Sequence, residues 1–119
     1  MDGLRFEWDP AKAAANLRKH RVSFEEAKTS FFDQYARIIS DQDHSEGEHR
    51  LILLGLSMNL NVLVMPHVAT DVDEVIEGLP DGRGKTRKKK RIENYTLIRI
   101  ISARQADPAE RRKYAEFLP

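Results

Sequence analysis

Residues 95–110 read Tyr95-Thr96-Leu97-Ile98-Arg99-Ile100-Ile101-Ser102-Ala103-Arg104-Gln105-Ala106-Asp107-Pro108-Ala109-Glu110, and they set the fold class. Tyr95–Ala103 is rich in aliphatic side chains and reads as a strand. Alternation sends Leu97, Arg99, Ile101 and Ala103 to one face, and Ile98, Ile100, Ser102 and Arg104 to the other. Asp107 then offers a carboxylate to the free N–H groups of a first helical turn. Pro108 follows where its missing donor does no harm. The helix so begun carries Tyr114, Phe117 and Leu118 on its apolar side and Arg111, Arg112 and Lys113 in a basic band. A strand running into a capped helix is the unit from which the rest is built.

Working outward, three more segments have strand character: Ala36–Asp41, Arg50–Leu56 and Asn61–Met65. The connections 43–47 and 57–61 have hairpin composition, which predicts an antiparallel meander. Pro66 cannot donate to a ladder, so the third strand is expected to stop near Met65 or to lie at an edge there. Two helix starts precede these strands. Asp9-Pro10 begins a helix that runs to about His20. Ser23-Phe24-Glu25-Glu26 is a capping box, with the Glu26 carboxylate reaching back to the start of its own helix. Phe24, Ala27, Phe31 and Phe32 then form one apolar stripe. The expected fold is α+β in two layers: two N-terminal helices, a four-stranded antiparallel sheet and a C-terminal helix. The helices would cover one sheet face and leave the other for water or a partner.

At 119 residues and 13.7 kDa the chain is expected to be a single domain over 1–119. The absence of cysteine excludes a disulfide framework, a thiolate zinc site and a cysteine nucleophile. Apolar runs such as Leu51–Leu56 are too short for a membrane span, and the start lacks a secretory layout, so a cytoplasmic location is expected. The net charge of +1 hides two opposed blocks. Residues 71–82 carry −5 and residues 83–91 carry +7. They lie in an atypical charged insertion at about 70–94, expected to be a long connection, with a short helix over 71–78 as an option. The basic block, Lys88, Lys89, Lys90 and Arg91 included, would be a solvated loop, attract phosphate or fold against the acidic half.

Arginine inside an apolar strand needs an anionic partner. For Arg99 and Arg104 that partner is either a carboxylate (Glu48, Asp41 or Glu110) or a phosphate, whose oxygens match the guanidinium fork. His44, Glu48 and Arg50 gather around the first hairpin, and the first two have the residue types general acid–base work requires. Trp8, Lys12 and Asn16 line the first helix as a polar-aromatic stripe that ends at Lys19-His20. Asn16 would otherwise merely cap a turn. No phosphate-binding glycine loop, Ser-His-Asp order or H-E-x-x-H motif is present in the sequence.

Phe6-Glu7-Trp8-Asp9, Lys12, Asn16, Lys19-His20 and Val22-Ser23-Phe24-Glu25 resemble the N-terminal signature of BrnT-type toxins. So do Asp41, His44-Ser45-x-Gly47-Glu48-x-Arg50 and Gly55-x-Ser57, while Ile98–Arg104 with Glu110-Arg111 and Tyr114 resembles the C-terminal one. The resemblance implies a RelE-like ribonuclease of a type II toxin–antitoxin system, with no cofactor. It implies metal-independent attack of a ribose 2′-OH on the adjacent phosphorus, leaving a 2′,3′-cyclic phosphate and arresting translation. It also implies a BrnA-like ribbon-helix-helix antitoxin through which alone DNA is contacted. On this basis Arg99 and Arg104 would hold the scissile phosphate, with Arg50 assisting from a neighbouring strand. His44 or Glu48 would be the base, and His20 or Lys19 an acid or second phosphate contact. Trp8 and Tyr114 would stack bases. Two departures stand out: Arg21 where the family has glycine, so that the first helix is expected to end without the usual left-handed glycine, and Met65–Asp71 in place of a stretch containing arginine. The alternatives are a catalytically degenerate binding module and, more remotely, a metal-dependent hydrolase built on His44.

Overall fold

A computed structural model of the chain describes residues 3–41, 49–77, 90–116 and 118–119. Strand β1 (Gly3–Glu7) leads to helix α1 (Pro10–His20), helix α2 (Phe24–Thr29) and a 3-10 turn (Ser30–Phe32). Strands β2 (Arg37–Ser40), β3 (Arg50–Leu56), β4 (Val62–Glu77), β5 (Lys90–Ile100) and β6 (Arg104–Gln105) follow, and helix α3 (Pro108–Ala115) closes the chain. The sheet order is β1-β5-β4-β3-β2, with β6 also on β4. Pairing is antiparallel except for β1, which lies parallel to β5. The α+β class holds. The sheet is mixed rather than purely antiparallel, because β1 was not foreseen.

Each helix starts where its cap predicts. The Asp9 carboxylate accepts from the Ala11 N–H at 2.8 Å, and the Ser23 hydroxyl from the Glu26 N–H at 3.0 Å. Glu26, however, does not reach back. Its carboxylate accepts from the Ser57 hydroxyl at 2.6 Å and from Asn61 Nδ2 at 2.9 Å, tying α2 to the β3–β4 turn. The full capping box belongs to α3, between Asp107 and Glu110. Helix α1 ends without glycine, and Arg21 itself takes the left-handed geometry: its φ is 60°, and its N–H donates to the Leu17 carbonyl.

The core lies between α1, α2 and one sheet face. Val22, Phe24, Ala27, Leu53, Leu63, Met65, Ile98, Ile100 and Ala103 are buried there. Phe24 is fully enclosed, a burial worth about 2–3 kcal/mol. Phe32, expected on the same stripe, is 65% exposed. The α-helix stops at Thr29, and the tighter 3-10 turn swings Phe32 off the stripe. That turn presses on β3 at Gly55, where a Cβ would sit 2.9 Å from the Ser30 carbonyl oxygen. His67 is buried on this face, donating from Nδ1 to the Met65 carbonyl at 2.9 Å and meeting Phe31 edge-on at 4.9 Å. Burial pushes its pKa down, against the opposing effect of the Met65 carbonyl.

The expected connection at 70–94 is largely strand where described. β4 runs through Pro66 to Glu77, and β5 starts at Lys90, with Glu77 opposite Lys90 and Ile76 opposite Arg91. The acidic half therefore lies beside the beginning of the basic half, and residues 71–77 are not helical. A charged, two-sided-polar strand lacks the apolar alternation by which strands are recognised. The protruding hairpin helps raise the radius of gyration to 18.0 Å, against about 13.5 Å for a compact chain of this length. Among the described residues no helix is long and apolar enough to cross a membrane.

The second sheet face is not left bare. Helix α3 packs there, with its Glu110, Lys113 and Glu116 facing Ile39, Ile52, Leu54 and Val64 across a cleft of about 330 Å³. Left-handed geometry costs a non-glycine residue about 1–2 kcal/mol. Arg21→Gly is therefore expected to stabilise the fold by about 1 kcal/mol, read as a higher urea midpoint with an unchanged slope.

Candidate nucleic-acid interface

The site begins with a slip of one residue. Along β4 and β5 partners keep one register, from Glu77 opposite Lys90 to His67 opposite Ile100. Continued, that register would set Leu63 opposite Arg104. Instead Val64 faces Arg104 and Leu63 faces Gln105. The segment 101–103 thus holds one extra residue, a bulge, and everything after it changes face. Pro66 lies at this place. Its carbonyl accepts from the Ile101 N–H at 3.0 Å, so its missing N–H falls where the ladder is already broken. That is why proline is tolerated inside a central strand.

Asn16 of α1 closes the gap. Its Nδ2 donates to the carbonyls of Ala103 at 2.8 Å and Val22 at 2.9 Å, and its Oδ1 accepts from the Ala103 N–H at 3.1 Å. Both backbone groups of Ala103 are thereby satisfied in the core by a side chain that is itself buried.

The consequence is a field of arginines on the second face. Simple alternation placed Arg99 and Arg104 on opposite faces; the slip puts them together. One row across the sheet reads Glu7, Arg99, Val68, Arg50. A second reads Arg104, Val64, Leu54, Arg37. Between them Pro66, Ile52 and Ile39 make an apolar floor. Arg50 is not on a strand adjacent to Arg99; β4 intervenes, which separates their backbones by about 10 Å. Arg99 and Arg50 are half-buried. Arg37, which the sequence did not single out, joins them and donates to the Lys113 carbonyl at 3.5 Å.

Arg104 has taken the carboxylate option. Both of its terminal nitrogens donate to Glu110, at 2.8 and 2.9 Å. The guanidinium holds the Glu110 carboxyl down at about 2, and Glu110 in turn raises Arg104. Tyr114 is no stacking platform: it is buried, and its hydroxyl donates to Asp33 at 2.5 Å. Burial and that bond push its pKa up. Burial raises the Asp33 pKa too, but the bonds from the Leu56 N–H, Tyr114 and the Tyr35 N–H outweigh it and hold Asp33 below the usual carboxylate range. Trp8 is half-buried and packs edge-on against Phe24 at 5.8 Å, part of the core's margin.

Exposed Lys12 and Lys19 and half-buried His20 are carried by α1, the helix of the first face. Lys90 and Arg91 begin β5, so Lys90 lies about 30 Å along the strand from Arg99. His44, Glu48, Lys88 and Lys89 lie outside the described residues.

Removing Asn16 would strand buried backbone groups at about 1–3 kcal/mol each. Asn16→Ala is expected to cost about 3 kcal/mol or more in denaturant unfolding. The pair at Arg104 and Glu110 is 43% and 27% exposed, so solvent screening limits its worth to about 1 kcal/mol. Because the folded pKa of Glu110 lies below its ordinary 4.5, this stability is complete above that pH and is lost as pH falls towards 2. Arg104→Ala is expected to flatten the acid-unfolding curve within that window.

A family model described as the ribonuclease toxin BrnT of a type II toxin–antitoxin system matches residues 8–76, from just after β1 to near the end of β4. No curated protein matches the chain. The match spans more than half of the sequence and takes in the stripe from Trp8 to His20, the Asn16 pin, Arg50 and Pro66; the chain belongs to the BrnT family of type II ribonuclease toxins.

Proposed function

We propose that the second sheet face is where this toxin cuts RNA, as an endoribonuclease that uses no metal. The observation that carries the reading is the arginine field itself. Register and slip bring Arg99, Arg50, Arg104 and Arg37 to one face around an apolar floor. Fixed cations aimed at developing phosphate charge are the largest contribution such a protein can make to the reaction. In this reading Arg99 and Arg50, flanking Val68, hold the scissile phosphodiester. The ribose 2′-oxygen bonds to phosphorus as its proton leaves, the bond from phosphorus to the 5′-oxygen breaks, and that oxygen gains a proton. The products are a 2′,3′-cyclic phosphate and a 5′-hydroxyl, and translation stops for want of intact message. Arg104 contributes its charge only in part while Glu110 holds it. His44 and Glu48 remain candidates for proton transfer, while Lys19 and His20 lie on the helix of the other face, away from this phosphate. The partner would be a ribbon-helix-helix antitoxin of BrnA type, in a cytoplasmic complex that meets DNA through that partner alone.

The neutralised Arg104 also favours a second reading, a protein that binds on this face without cutting. One experiment separates the two. The full chain is incubated with RNA in the presence of a chelator, and the new termini are analysed. Cleavage leaving 5′-hydroxyl ends is expected, with Arg99→Ala and Arg50→Ala each slowing it about 10²–10³-fold at unchanged melting temperature. RNA binding without cleavage would establish the second reading. Cleavage that disappears with the chelator would overturn the metal-free mechanism.

A further inference from the structure

We propose that Glu7 is the general base that takes the 2′-OH proton, an assignment that rests on the second face being the RNA site. Glu7 ends β1 and stands directly opposite Arg99 in the parallel ladder. The contacts of Arg5, two residues earlier on the same strand face, fix which face that is. Its guanidinium donates to Glu74 at 3.2 Å and to Glu93 at 3.0 Å, and lies 3.9 Å over the Tyr95 ring. Phe6, which alternates with them, points the other way and meets Phe31 at 5.3 Å. Glu7 is therefore on the arginine face, one strand spacing or about 4.8 Å of backbone from the residue assigned to the phosphate.

Glu7 is exposed, and among the described residues it makes no hydrogen bond or ion pair. Of the other described carboxylates of this face, Asp41 stands at the far end of the row, opposite Arg50, and Glu116 of α3 lines the cleft at Arg37. Glu74 and Glu93 bind Arg5. Glu110 accepts two bonds from Arg104 and one from the Asp107 N–H at 2.9 Å. Asp71 faces the opposite side, where it accepts from the Thr96 hydroxyl at 3.1 Å. A base needs an open lone pair within reach of the proton it removes. Glu7 meets these conditions beside a phosphate on Arg99, since the attacking hydroxyl is carried by the ribose next to that phosphate. The Glu7 carboxylate takes the proton as the 2′-oxygen closes on phosphorus, and returns it to solvent after the 5′-oxygen has left.

The test is single-turnover cleavage of one RNA oligonucleotide by the full-length wild type, Glu7→Gln, Glu48→Gln and His44→Gln, with RNA affinity measured alongside. Glu7→Gln is expected to slow the chemical step about 10²–10⁴-fold while RNA affinity stays within threefold. A second substrate carries sulfur in place of the 5′-oxygen at the scissile bond, so its leaving group departs without a proton. The Glu7→Gln defect should persist on it, because a base is still required. If the defect vanishes there, Glu7 is an acid and the assignment fails. Glu7→Gln at the wild-type rate, with Arg99→Ala slow, overturns the Glu7 assignment alone. A wild-type chain that cuts no RNA overturns the reading of the face and this assignment with it.

Discussion

The hydrogen bonds between Asn16 and Ala103 are the constraint from which the rest of the molecule follows. They replace, with a side chain from α1, the ladder partners that the bulge at 101–103 removes. Without them the extra residue would bury an unpaired N–H and an unpaired C=O in the tightest part of the core, and regular pairing would be preferred. Regular pairing would carry Arg104 to the face covered by α1 and α2, where a guanidinium has no place among Leu63, Met65 and Ile100. One polar residue, 7% exposed, thereby decides on which side of the sheet the final arginine emerges.

The two layers of helix are attached by different physics. α1 and α2 are held mainly by apolar burial around Phe24, Leu63 and Met65. α3 buries only Tyr114 of its described residues, and is fastened by polar ties. Tyr114 binds Asp33, Glu110 binds Arg104, and the Arg111 guanidinium donates to the Ala106 carbonyl at 2.9 Å. Asp33 is a junction: through the Leu56 N–H, the Tyr35 N–H and the Tyr114 hydroxyl it joins β3, the turn after Phe32 and α3. Glu26 does the same for α2 and the β3–β4 turn. Glu26, read from the sequence as a cap, and Asp33, which the sequence did not single out, fix the layers relative to one another.

Charge on the second face is likewise sorted by pairing. Arg5 gathers Glu74 and Glu93 at the base of the protruding hairpin, and Arg104 gathers Glu110 beneath α3. Arg99, Arg50 and Glu7 lie between these two corners, with Asp41 opposite Arg50. A net charge of only +1 thus conceals a region where arginines and the carboxylates of Glu7 and Asp41 stand together beside an apolar floor.

The sequence by itself determined what local chemistry determines. Asp9-Pro10, Ser23 and Asp107-Pro108 fixed three helix starts, because a cap is satisfied within a few residues of itself. Ile98 and Ile100 announced a buried strand, and the motifs from Trp8 to Arg50 identified the family. The tertiary structure alone decided the parallel strand β1, whose partner is some ninety residues away, and the pairing of β4 with β5 through a stretch whose charges concealed its alternation. It also decided the face of Arg104, the burial of Tyr114 and the company of Glu7. Each of these depends on register between distant segments, and a shift of one residue there moves every following side chain to the opposite side of the sheet.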